Sequence, residues 1–555
     1  SRGLGDVYKR QRQKRIGWMS GSTHNNLGII ILTKNIFPIS SLVLIVATVT
    51  VPLLSFFLFF DFNSIIENYQ SYYLKIISFS ILQALVSSMI SVFLGILLAH
   101  LLFKHRYLPG IRQIVHFLAF TFILPTIIIV LGAVSVYGKA GYLNGLFEMF
   151  NLNIYGLLGI VIAHVLLNFP FVARAIFQSL SDVSNNEWSL AKHNGIRGFA
   201  LFKTIEWPAI KRTVPSVQII VFILCFMSFA PVIIFGGGPN FSTLEVSIYQ
   251  ALLYEYDFNK AINLALIQII ICIFFIYFFL RLNKVRFFSL SDNKLSSSIS
   301  YSFKYSLDYL LLLCLVIFAF SPLIIILIKG IQSGELVNTF YSSSFVIALA
   351  NTFIISLFSG ILSITLSIGL LYFGKNIFKL SSIKKFYFFE TQIYLLMVFS
   401  PVLISSGFFI LFRNFLGVIE PGLWIVIIIN SVFTIPLSYS LIKPSFYKVF
   451  FEQNFLTKSL SINGFKRFIL IEWPAVKSSI ITAFIVTSIV SSSDLVIISF
   501  FGTNDFSTLS LLIFRLMGSY QIAESHAVSL FFLIYCFIYF IISYKLLSNL
   551  NMRIN

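Results

Sequence analysis

Apolar runs of about 20 residues, the length a helix needs to cross a bilayer, recur along the whole chain. They predict twelve spans, at roughly 36–60, 74–103, 114–137, 155–175, 213–235, 260–282, 307–329, 344–373, 388–412, 422–442, 478–500 and 525–548. Backbone groups in lipid must pair within their own segment, so the runs are read as helices and the fold as an all-α membrane protein. Two polar islands interrupt the pattern with nearly the same words. Residues 198–209 read GFALFKTIEWPA and residues 464–475 read GFKRFILIEWPA, with Gly198 matched to Gly464 and Pro208 to Pro474 at a constant offset of 266. Pro170 and Pro436 keep that offset, and FSTL recurs at 241–244 and 506–509. Six spans return a chain to the side on which it started. The halves are therefore parallel repeats, related by a pseudo-twofold axis along the membrane normal.

This pattern divides the chain into an N-terminal segment (1–35), a first transmembrane domain (36–282), a Ser-rich linker (283–306), a second transmembrane domain (307–548) and a tail (549–555). Met19 is a candidate native start, which would leave residues 1–18 outside the native chain. Composition agrees with a membrane protein: 58% hydrophobic residues and 11% charged, against about 25% charged in a soluble chain. The formal net charge of +19 could suggest nucleic acid, but its placement speaks for orientation. With the N-terminus inside, 33 of the 39 Lys and Arg residues fall on inner segments. The six others are Lys75, Lys139, Lys260, Lys329, Arg413 and Arg515. Both termini are thus expected in the cytoplasm, with a secondary attraction to anionic lipid and no role for nucleic acid.

The repeated islands lie on that inner side. In the first, Ser184 or Asn185 can cap a helix starting near Glu187, and Gly195 or Gly198 permits the turn that ends it. A second short helix would carry Phe199, Phe202 and Ile205 on one face, with Glu206 following and Pro208 stopping it before span five. Phe465, Phe468 and Ile471 repeat the stripe before Glu472 and Pro474. Such paired amphipathic helices suit two grooves on a dimeric partner, or a place on the membrane surface.

The spacing of these loops resembles the EAA motif of ABC-importer permeases, in which Phe follows the loop Gly by seven positions and Pro by thirteen. Ala191, Gly195, Phe202 and Pro208 fit it. Ser189 stands in place of the family's Glu, and in the second copy Ser461 and Phe455 replace the Gly and the Glu. The stretch GGGPNFSTLEVSIYQAL at 236–252 is similar to the fused permeases of thiamine and thiamine-pyrophosphate importers, near the iron(III) group. The resemblance implies a type I importer fold in a bacterial inner membrane. It also implies docking of two ATPase subunits on the loops, delivery of thiamine or its phosphates by an extracytoplasmic binding protein, and ATP and Mg held by the ATPase, with no cofactor on this chain. The same architecture would also serve iron(III) or another small solute.

A pathway for an organic cation favours aromatic faces, and a carboxylate beside them would suit its charge. Asp494, in SSSDLVIISF, is the leading candidate, with its counterpart Ser228 and the neighbours Phe229 and Ser491. An alternative puts Asp494 at the hydrated outer end of its helix. Glu245, Glu255, Asp257, Asp505 and Glu524 are read as outer charges, either facing the binding protein or solvated. The prolines Pro125, Pro170, Pro401 and Pro436 are candidate kinks. The four cysteines and His164 are read as packing residues. No Walker A loop, HExxH or nucleophile elbow occurs, so neither an ATPase nor a hydrolase is expected. An ion-coupled secondary transporter would also show two repeats, but would not need the paired inner helices.

Overall fold

The computed structural model describes residues 36–58, 70–149, 153–236, 241–282, 306–380, 383–396, 399–413, 417, 422–459, 467–503 and 505–552. All regular structure among them is helical. Among the described residues ten helices are long and apolar enough to cross a membrane, from Ile36–Leu58 to Ile522–Ile542. Four of the expected spans are broken: 213–235 and 478–500 are interrupted at 227–229 and 493–495, and the third and ninth also divide. The third divides into α3 (Ile111–Ile123) and α4 (Thr126–Tyr137), with Pro125 between them. The ninth divides into α16 (Ile383–Leu395) and α17 (Pro401–Leu411), whose first residue is a proline. Proline cannot supply the N–H that a continuous helix needs there. Pro170 and Pro436 instead remain inside α6 (Leu157–Ser181) and α18 (Leu423–Ser459).

The two six-helix repeats are visible element by element. α9 (Trp207–Phe226) and α10 (Ala230–Phe235) recur as α19 (Trp473–Ser492) and α20 (Val496–Phe501), at the same offset that relates the polar islands. The short α11 (Leu244–Leu253) and the long α12 (Phe258–Leu282) recur as α21 (Leu509–Gly518) and α22 (Ile522–Met552). One buried hydrogen bond is repeated with them. The Leu244 N–H donates to Ser80 Oγ at 3.1 Å on α2 (Gln70–Lys104). The Leu509 N–H donates to Thr352 Oγ1 at 2.9 Å on α15 (Ser343–Leu380). Both satisfy an amide in the first turn of a helix, a group that has no partner within the helix.

The first helix of each half packs across the boundary between the halves. α1 (Ile36–Leu58) lies chiefly against α15 and α17 of the second half, and α13 (Ser306–Gln332) against α4 of the first as well as α22 of its own. Each crossing depends on a glycine facing a proline. A Cβ on Gly407 would stand 2.4 Å from the Pro52 carbonyl oxygen, and one on Gly132 would stand 2.5 Å from that of Pro322. Ser55 Oγ adds a bond to the Gly407 carbonyl at 2.9 Å. Small residues permit such close helix contacts in lipid, where packing rather than hydrophobic exclusion drives association. The largest apolar cluster among the described residues runs through both halves, and a second lies mostly within the second half around Tyr439.

Candidate functional site

In the first loop Ser184 and Glu187 form a reciprocal cap at the start of α7 (Asn185–His193). Ser184 Oγ accepts the Glu187 N–H at 3.3 Å and donates to Glu187 Oε1 at 3.1 Å. Trp188 and Ala191 turn inward, Trp188 against the Phe103 ring at 5.4 Å, while Leu190 is exposed. Gly195 and Gly198 follow, both with positive φ (66° and 58°), so they provide the turn for which glycine is suited.

The helix that follows does not stop at Pro208. Phe199–Leu201, a π-helical turn at Phe202–Glu206 and α9 form one continuous helix. The π turn gives the Trp207 N–H to the Phe202 carbonyl, five positions back, and the wider turn accommodates the proline ring that follows. The second copy repeats this with a π turn at Phe468–Glu472 ahead of Pro474. Gly464, Phe465 and the side chain of Phe468 lie outside the described residues.

The expected apolar stripe is therefore divided. Phe199 is 78% exposed. Phe202 and Ile205 are half-buried, and the Phe202 ring meets His100 edge-on at 5.4 Å. Near the second stripe, Ile469 and Leu470 are exposed and Ile471 is half-buried.

The glutamate of each IEWPA is an anchor facing inward. Glu206 is buried with Oε2 2.7 Å from His100 Nδ1 on α2. Glu472 is buried with Oε1 3.0 Å from Lys375 Nζ and 2.9 Å from Arg467 Nε, and its other oxygen accepts from the Tyr372 hydroxyl. His100 and Tyr372 stand in the same register to one another as Ser80 and Thr352 do. The two halves therefore tie their loop exits to the second helix of each repeat at equivalent positions, one through an imidazole and one through a charged network. Sequence reading identifies Glu206 and Glu472 but not His100, Tyr372 or Lys375. Lys375 carries a readable signal, a basic residue at the end of an apolar run, which the orientation count absorbs.

Each half has a short break between helices, at 227–229 and 493–495. Ser228 and the buried Phe229 lie in the first. Asp494 lies in the second, where its Oδ2 accepts the Ile497 N–H at 3.1 Å at the start of α20. Asp494 thus acts as a helix cap inside the bundle, beside Asn430 of α18. Ser491 is buried, and its hydroxyl has no partner among the described residues. Four rings join the halves here: Phe229 to Tyr249 at 4.9 Å, Tyr249 to Phe500 at 5.5 Å, and Phe500 to Phe409 at 6.2 Å.

Glu245 corrects its reading as an outer charge. It is fully buried on α11. Gln268 Nε2 of α12 donates to Oε1 at 2.5 Å, and Ser400 Oγ, at the start of α17 in the other half, donates to Oε2 at 2.6 Å. The apolar neighbours of Glu245 in LEVSIYQALL are the available signal of a buried helix. Glu255 has a side chain that is 46% exposed and pairs with Lys260 of its own segment at 2.7 Å, which matches the solvated alternative. Among the described residues no group of three or more His, Cys, Asp or Glu could hold a metal ion.

Repeated six-helix units, broken helices at the junction and a pair of polar loop exits define a multi-pass membrane transport permease. The chain is 30% identical over 489 residues to the thiamine transport system permease protein ThiP of Salmonella typhimurium, covering 86% of this chain and 90% of that relative. It is 30% identical over 489 residues to ThiP of Escherichia coli K12 at the same coverage. It is also 30% identical over 478 residues to ThiP of Haemophilus influenzae, covering 85% of this chain and 88% of the relative. No family model matches the chain. The chain belongs to the family of thiamine transport system permease proteins.

Proposed function

We propose that this chain is the transmembrane subunit of an ATP-driven importer and forms the path for thiamine or its phosphates. The observation that carries the reading is the pair of loop exits: two π turns, one in each repeat, each followed by proline and each anchored by a buried glutamate. Two ATPase copies would dock at these loops, on the cytoplasmic face of a bacterial inner membrane, and an extracytoplasmic binding protein would deliver the solute opposite. The coupling loop comprises Ala191, which packs inward, with Gly195, Gly198, Phe199, Phe202, Ile205 and Pro208, and Gly464, Phe465, Phe468, Ile471 and Pro474 form the second copy. Glu206 and Glu472 hold it in place. The exposed Phe199 is its leading contact in the first loop. The two units, 36–282 and 307–548, would rock about their junction, where Ser228, Phe229, Ser491 and Asp494 border the path. ATP is consumed by the partner, which alters the relative stability of the two arrangements through its own differential contacts. This chain is then a transport subunit and not an enzyme.

The test has two arms. Phe199→Asp with Leu470→Asp should abolish co-purification with the ATPase while the permease still elutes as a folded particle; unchanged complex formation would sink the docking surface. Membrane vesicles holding the full assembly should accumulate labelled thiamine and not iron(III). Iron accumulation instead would assign the chain the other cargo.

A further inference from the structure

We propose that the junction between the halves is a binding site for an aromatic organic cation, with Glu245 as its counter-charge and Phe229, Tyr249, Phe409 and Phe500 as its walls. The inference rests on the reading of the cargo as thiamine, whose thiazolium ring carries a fixed positive charge. Glu245 is a buried carboxylate held by two neutral donors, Gln268 and Ser400. No salt-bridge partner for it occurs among the described residues. A carboxylate in such surroundings is costly, and intramembrane acids of this kind typically mark a transported ion or substrate. The site has unused hydrogen-bonding capacity as well. Gln268 Oε1, the other end of the amide that bonds Glu245, is buried and has no partner among the described residues; nor does Thr243 Oγ1, two positions before Glu245.

The aromatic walls match that chemistry. Tyr249 lies one turn beyond Glu245 on α11, and its ring bridges Phe229 of its own half and Phe500 of the other. Aromatic faces attract cations, most strongly where water is excluded. The nearby Arg515 is held elsewhere, by the carbonyl oxygens of Gly502 and Thr503 at 3.2 and 3.0 Å. Access follows from the same geometry. The Glu245–Ser400 bond and the Tyr249–Phe500 contact both cross between halves, so separation of the halves uncovers carboxylate and rings together. The acid has no twin: the repeated FSTL aligns it with Ser510 in the second half. One cation is therefore bound per chain, off the pseudo-twofold.

The experiment uses the complete transporter in proteoliposomes, with labelled thiamine as the probe. Glu245→Gln is close to isosteric and is expected to lower initial uptake at least tenfold, whereas Glu245→Asp, which keeps the charge, retains more than a third. Glu255→Gln removes an exposed carboxylate and should stay within twofold of the parent. Uptake by Glu245→Gln within twofold of the parent would overturn the site, as would equal loss in the Gln and Asp variants, which would mark a structural role. A parent that takes up no thiamine while Glu255→Gln and the parent assemble equally well would overturn the cargo reading, and this site with it.

Discussion

Gly407 faces the Pro52 carbonyl so closely that a Cβ there would stand 2.4 Å from its oxygen, and Gly132 faces the Pro322 carbonyl at 2.5 Å in the same way. The glycines belong to the second and first halves, the prolines to the first helices of the opposite halves. Those two crossings fasten one half of the molecule to the other.

Valine at either glycine should therefore separate helices that now touch. Gly407→Val and Gly132→Val are each expected to destabilise by about 3 kcal/mol or more, beyond ordinary overpacking because the obstacle is backbone. Gly145 has open space around its Cβ position, so Gly145→Val serves as control. Thermal unfolding of the detergent-purified chain should show a lowered midpoint for the first two and little change for the third.

The two buried glutamates should respond unequally. Glu472→Ala leaves the buried Lys375 and the half-buried Arg467 without their carboxylate, a loss of roughly 3–5 kcal/mol when one partner of a buried pair is removed. Glu206→Ala orphans one imidazole contact and should cost about 1–3 kcal/mol. Combining Lys375→Met and Arg467→Met with Glu472→Leu removes all three charges and should recover much of the larger loss. Denaturation midpoints of the three variants check the order.

How much of this is legible in the sequence varies by element. The offset of 266 is plain, because both halves repeat the same words at the loop exits. The prolines are equally plain, yet Pro125 and Pro401 border breaks while Pro170 and Pro436 remain within helices. A proline marks a missing N–H; whether the chain parts there depends on neighbouring helices. Glu245 escapes a local reading for a related reason. Its partner Ser400 belongs to the other half of the chain, and neither periodicity nor local composition carries that contact. Asp494 is recognisable as an intramembrane acid, but its bond to the Ile497 amide gives it a capping role that spacing alone does not distinguish from a substrate role.

The paired bonds from Leu244 to Ser80 and from Leu509 to Thr352 make a further prediction. Ser80→Ala and Thr352→Val should each leave a buried amide unsatisfied, for about 1–3 kcal/mol apiece. The sites belong to different halves, so the double variant should show the sum within about 0.5 kcal/mol. A double variant much worse than the sum would mean that the two short helices act as one cooperative unit.

The π turns at Phe202–Glu206 and Phe468–Glu472 each insert one residue more than a regular helix would hold. One residue is about 100° of helical phase. The loop-proximal end of each helix is therefore clocked away from the face that the same helix shows further along. Evolution can turn one without turning the other, as two hands set separately on a single shaft.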